Sequence, residues 1–188
     1  QLRDMTGAGM MECKKALAET AGDLNKAVDA LRKAGIAKAE KRADRAASQG
    51  RIEAYVHDSR IGVLVEVNCE TDFVARTDDF KGLCKDLAMQ TAAASPDYVQ
   101  REEVPAERLA RERAIYVEQV KNEGKPAAIV DKIVEGKLNK FYSEVCLMEQ
   151  PFIKDDKKSI DQLVKAISSR TGENIVVRRF VRFRLGAE

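Results

Sequence analysis

Ile61-Gly62-Val63-Leu64-Val65-Glu66-Val67-Asn68-Cys69-Glu70-Thr71-Asp72-Phe73-Val74-Ala75 is the stretch on which the reading of this chain turns. Its first part alternates, with Ile61, Val63, Val65, Val67 and Cys69 on one face and Gly62, Leu64, Glu66 and Asn68 on the other, as a half-buried β-strand does. The alternation then stops at a helix start. Thr71 suits an N-cap, and Asp72 in the first turn suits the positive end of the helix dipole, a placement worth ~0.3 to 1 kcal/mol. Phe73 comes one position later, too early to fall reliably on a buried stripe. Periodicity alone leaves it divided evenly between a core or staple residue and a ring exposed at a helix tip.

Working outward, Arg51 to His57 sets Ile52, Ala54 and Val56 against Arg51, Glu53, Tyr55 and His57. Asp58-Ser59-Arg60 then reads as a hairpin loop, so the two strands should pair antiparallel. A helical stretch runs from Thr71 through Ala94, interrupted near Thr77-Asp78, where Asp78 can recap the chain, and Ser95-Pro96 ends it. Pro105 to Asn122 is a charged helix closed by Gly124. Pro126 sits in the first turn of a longer helix carrying Ile129, Ile133, Leu138, Phe141, Val145 and Met148. The short connection implies a helical hairpin over 105–150 whose charged arm is a solvated face. Ser159 caps a helix through Arg170, and Asn174 to Leu185 forms a last strand. There Val177, Val181, Phe183 and Leu185 share a face with Arg179, while Arg178, Arg182 and Arg184 surround Phe180 on the other.

Before the sheet, residues 1–34 read as a small helical unit. Met10 to Glu19 turns Cys13, Ala16 and Leu17 inward, and Gly22-Asp23 opens a second helix carrying Leu24, Ala27, Val28 and Leu31. One of the adjacent Met10 and Met11 must point away from so small a core. Residues 35–49, rich in Ala and Lys/Arg with few large apolar side chains, are expected to form a solvated helical connector. The remainder, 50–188, makes the core. The expected class is α+β, a three-stranded antiparallel sheet covered by helices on one side, its other face open to a second copy.

Composition excludes several function classes. The chain has 188 residues, 44% hydrophobic and 34% charged, with a formal net charge of +2, so it lacks the basic excess of a protein held by phosphate neutralisation. The four cysteines, Cys13, Cys69, Cys84 and Cys146, have no paired spacing and His57 is the sole histidine. Buried free thiols in a reducing cytosol fit this pattern better than a zinc site or disulfide framework. No apolar run reaches bilayer-spanning length. The chain opens at Gln1, so a short preceding piece is expected. A Cys69-His57-Asp72 catalytic arrangement is disfavoured, because Cys69 falls on an apolar strand face and His57 on the polar face of its own strand. No phosphate loop, dinucleotide fingerprint, cofactor site or metal cluster is read, and no catalytic residue is assigned.

Leu2-Arg3, Thr6-Gly7-Ala8-Gly9-Met10-Met11-Glu12-Cys13-Lys14-Lys15-Ala16-Leu17 and Arg60 through Ala75 together resemble the two signature segments of bacterial translation elongation factor Ts. Gln150-Pro151-Phe152 and Gly172 through Phe180 are similar to the end of the same family. The likeness runs through nearly the whole chain and fits the short, single-core bacterial or organellar form; Glu12 stands where the family usually has Asp. The resemblance implies a cytoplasmic guanine nucleotide exchange factor, not an enzyme, that binds GDP-bound elongation factor Tu. It implies a ubiquitin-associated-like module over 1–34 docking on the GTPase domain through Arg3, Met10, Met11 and Lys14. Thr71, Asp72, Phe73 and Val74 would dislodge the partner's magnesium, and His57 would make a second contact. A homodimer is expected, with no membrane and no direct nucleic-acid contact. The alternative is a noncatalytic RNA- or ribosome-binding module using Arg178, Arg182, Arg184 and the basic connector.

Overall fold

Strands β1 (Gln49–His57) and β2 (Ile61–Cys69) form an antiparallel hairpin in a computed structural model that describes residues 1–124 and 126–187. The turn holds Asp58 and Ser59 at φ 48° and 55°, and the Arg60 amide donates to the His57 carbonyl at 2.9 Å. Two successive positive φ values give the turn a twist that matches the flanking strands. Strand β5 (Val176–Arg184) pairs antiparallel with the other edge of β2, giving the order β1-β2-β5. The fold is α+β, as the alternation in Ile61–Cys69 anticipates.

Helices cover one side of this sheet. Val63, Val65, Val67 and Cys69 are buried against α5 (Asp78–Ala94) and α8 (Ile160–Thr171). From α5 come Phe80, Leu83, Cys84, Leu87, Ala88 and Ala92, a helical stripe, and from α8 come Ile160, Val164 and Ile167. Thr77, rather than the expected Asp78, caps α5, accepting from the Phe80 amide at 3.3 Å. Ser159 caps α8 in a reciprocal capping box with Gln162.

Two strand faces differ from the sequence reading. Cross-strand register sets Ile52, Ala54 and Val56 opposite Glu66, Leu64 and Gly62, which places the apolar side of β1 on the open face. Its polar-looking side, including Tyr55, faces the helices. Edge position explains this: the helix side of β1 is only partly covered, so Arg51 stays exposed and pairs with the partly buried Glu53 at 2.6 Å. In β5 the register shifts between Glu66 and Val67, leaving Arg178 as an extra residue. A bulge inverts the alternation beyond it. Val177 is therefore buried in the core, while Val181, Phe183 and Leu185 are exposed.

The first three helices, α1 (Leu2–Thr6), α2 (Met10–Glu19) and α3 (Leu24–Glu40), pack around Leu2, Cys13, Ala16 and Ala27. Asp23 caps α3 through the Lys26 amide at 3.0 Å. Helix α3 runs unbroken through residue 34 and ends at Glu40. Within the expected solvated connector, Gly35 and Ala39 are buried. Small side chains are the reason, since they let α3 approach α8 so closely that a Cβ on Gly35 would lie 2.5 Å from Ser169 Oγ. Gly35 and Ala39 depart from the expectation, while most of the other residues of 35–49 are exposed.

Helix α4 (Asp72–Ala75) is a single turn between β2 and α5. Helices α6 (Ala106–Asn122) and α7 (Ala127–Val145) make the hairpin, joined over Val120, Val130, Val134 and Leu138. A two-stranded ribbon, β3 (Pro151–Phe152) with β4 (Asp155–Ser159), was not anticipated. Buried Gln90 supports it, accepting from the Ile153 amide at 2.9 Å and donating to the Pro151 carbonyl at 3.2 Å.

Candidate partner-binding site

Strand β2 leaves the core at Cys69 and delivers the chain to a one-turn helix at the molecular surface. Thr71 caps that turn, accepting from the Val74 amide at 3.4 Å. Within the turn, adjacent residues take opposite environments. Val74 is buried in the sheet core, while the Phe73 side chain is 81% exposed. A buried valine thus anchors the turn and a bare phenyl ring projects from it. Asp72 is half exposed and pairs with Arg76 at 2.9 Å one turn on, a surface pair worth well under ~1 kcal/mol.

The turn is held from outside by residues that sequence reading passed over. Glu173, just after α8, accepts from the Glu70 and Thr71 amides at 3.0 Å each and from the Thr71 hydroxyl at 2.6 Å. Reciprocally, Glu70 accepts from the Asn174 amide at 2.7 Å. Asn174 is itself buried and donates through Nδ2 to the carbonyls of Ala43 and Arg45 at 3.0 and 2.8 Å. The left-handed Gly172 (φ 78°) that ends α8 turns the chain into this clamp. Partners about a hundred residues apart leave no local signal, and Glu173-Asn174 after a C-cap glycine was the only hint.

Cys69 adjoins the turn, donating Sγ–H to the Thr71 carbonyl at 3.1 Å. Burial, then the neighbouring Glu173 carboxylate, pushes its thiol up to about 11, so it is protonated near neutral pH. Burial likewise raises Cys84 to about 12 and Cys146 to about 11. Register corrects the reasoning on His57: paired with Ile61, it shares the helix-covered side with Cys69. The two lie at opposite ends of the β1–β2 hairpin, roughly 25 Å apart at ~3.3 Å per residue. His57 is exposed at the hairpin end, beside Tyr55 with Oη 3.1 Å from Nδ1.

A second surface lies on the N-terminal helices. Arg3 on α1 and Met10, Met11 and Lys14 on α2 are all exposed, so both methionines, not one, face outward. Glu12 between them pairs with Lys38 of α3 and accepts from the Gly9 amide at 3.3 Å. Those contacts hold its carboxyl below the usual range, led by the Lys38 hydrogen bond. Glu12 thereby ties α2 to α3.

The C-terminal arginines do not form one solvent-facing row. Arg178 sits at the bulge, Arg179 pairs with Glu66 at 2.7 Å, and Arg182 donates to the Ala92 carbonyl near the end of α5 at 3.3 and 3.2 Å.

The family model described as Elongation factor TS matches residues 9–187. The chain belongs to the elongation factor Ts family. It is 61% identical to the elongation factor Ts of Heliobacterium modesticaldum over 187 residues, covering 99% of this chain and 87% of that one. To the elongation factor Ts of Coprothermobacter proteolyticus it is 60% identical, covering 99% and 95%. To that of Geobacter sulfurreducens it is 59% identical, covering 99% and 87%. Membership in the elongation factor Ts family sets the chain among translation elongation factors. Among the described residues no helix is long and apolar enough to cross a membrane.

Proposed function

We propose that this chain is a guanine nucleotide exchange factor for elongation factor Tu. The observation that carries the reading is the pairing of an 81% exposed Phe73 with a buried Val74 on a turn clamped by Glu173. A large apolar ring kept in water has its free energy to gain from a partner's cleft, roughly 1.5 to 3 kcal/mol on full burial. Thr71 caps the wedge, Val74 roots it, and Asp72 supplies a carboxylate beside the inserting ring.

The target chemistry follows from how GDP is held. Its phosphates and an octahedral magnesium ion demand exacting ligand geometry, so a sub-ångström displacement of nearby backbone weakens both. Arg3, Met10, Met11 and Lys14 dock the helical module on the GTPase domain, the methionines offering soft, adaptable contact. The chain breaks no bond and binds no nucleotide or cofactor of its own. By linkage, a factor that weakens GDP binding is itself weakened by GDP. The chain is therefore expected to comigrate with nucleotide-free elongation factor Tu on size exclusion and to be released by added GDP and magnesium. A complex indifferent to GDP would count against exchange.

We infer further that two copies pair through the open sheet face. Ile52, Val56, Leu64, Val181 and Phe183 are all exposed there, on neighbouring strands around Leu64. Phe73 and His57 lie at opposite ends of the β1–β2 hairpin, so pairing lets one copy present Asp72-Phe73 and the other present His57 to a different part of elongation factor Tu. Light scattering at micromolar concentration is expected to give a dimer, and Leu64→Lys, a charge at the patch centre, a monomer. A wild-type monomer under those conditions would overturn the pairing.

A further inference from the structure

Glu173 and Asn174 belong to neither exposed contact surface, yet they join the two segments on which exchange would depend. The Glu173 carboxylate takes three hydrogen bonds from Glu70 and Thr71, the two residues that immediately precede the Asp72-Phe73 pair. Asn174 closes the pair with Glu70 through its own amide, and its side chain gathers the carbonyls of Ala43 and Arg45, in the chain leaving α3. Arg45 in turn stands 3.5 Å from the Glu70 carboxylate. The exit from the helical module and the root of the wedge are thus bound to one short loop.

We propose that Glu173 is a positioning residue for the exchange turn, and that with Asn174 it fixes the direction in which Phe73 is presented relative to the docked helices. The inference rests on the exchange reading above. A four-residue helix cannot hold its own orientation, because it has too few internal hydrogen bonds to offset the cost of nucleation. Val74, with partly buried Ala75 beside it, roots the C-terminal part of the turn and leaves its N-terminal end at Thr71 to be fixed. The carboxylate supplies the further constraints. Charge-assisted bonds to two successive amides and a hydroxyl set the orientation of Thr71, from which α4 starts.

A wedge that docks but points wrongly predicts a particular kinetic signature. In titrations of GDP release from elongation factor Tu, Glu173→Ala is expected to lower the rate at saturating factor roughly ten- to hundredfold, as misplacement by about an ångström does. The half-saturating concentration should stay near wild type, because Arg3, Met10, Met11 and Lys14 are untouched. Glu173→Gln keeps one acceptor for both amides and can donate to the Thr71 hydroxyl, so it should recover most of the rate. Amide hydrogen exchange at Glu70 and Thr71 should quicken in Glu173→Ala and not in Glu173→Gln. A Glu173→Ala plateau equal to wild type, a loss confined to half-saturation, or unchanged amide protection would each overturn the proposal while leaving exchange itself standing. If the wild-type chain fails to accelerate release, the exchange reading falls and takes this inference with it.

Discussion

Phe73→Ala is expected to slow factor-stimulated GDP release from elongation factor Tu by roughly ten- to 150-fold, while leaving the fold's thermal midpoint where it was. Both halves follow from the same observation. The ring is 81% exposed, so removing it deletes almost no intramolecular packing and the free chain should not register the loss. In the complex the ring would exchange water for a cleft, worth roughly 1.5 to 3 kcal/mol, and each ~1.4 kcal/mol on a barrier is tenfold in rate. Stopped-flow kinetics with a fluorescent GDP analogue and a parallel thermal melt read the two quantities separately. A lowered midpoint would recast Phe73 as a packing residue. An unchanged rate would remove it from the mechanism.

Phe80→Ala should do the reverse. Phe80 is fully buried on α5, seven residues after the exposed ring, and packs in the cluster that includes Val65, Val67 and Val74. Truncating such a side chain costs about 3 to 5 kcal/mol through lost transfer energy and the cavity left behind. For a chain of this size the thermal midpoint should fall on the order of 10 °C. Denaturant titration should show the midpoint shifted with the slope preserved. Because Val74 is rooted in the same cluster, exchange activity should decline with the folded fraction. A stability within about 1 kcal/mol of wild type would mean that this cluster does not carry the fold.

These two phenylalanines also mark what the sequence made legible. Phe80 lies on a clear helical stripe with Leu83, Cys84 and Leu87, and period alone assigns it to the core. Phe73 precedes any stripe, and no local pattern separates a buried staple from a bare ring. Tertiary packing decides it, turning Val74 into the core and leaving Phe73 outside. The strand alternation in Ile61–Cys69 was correct to the residue because β2 is central and one face is fully covered. On β1 and β5 the alternation was visible and the inward side was not. An edge strand with one half-covered side gives burial little hold on the pattern, and a bulge at Arg178 inverts phase without changing composition. The small-residue run around Gly35 misled for a related reason, since close helix approach uses the absence of side chains.

The exposed sheet face and the exposed Phe73 have the same physical character and are assigned different partners. The face is broad and apolar, which suits a second copy. The ring is single, rigidly rooted and flanked by a carboxylate, which suits entry into a cleft beside a metal and phosphate site. Leu64→Lys and Phe73→Ala should therefore separate assembly from exchange chemistry.

An exchange factor opens the nucleotide site of another protein. Release of a fluorescent GDP analogue from elongation factor Tu, followed with and without the chain, tests it most directly. The wild-type chain is expected to give a large acceleration that is lost when Asp72 and Phe73 are both replaced by alanine. An unaltered release rate with the wild-type chain, or a double variant as active as the wild type, would contradict it.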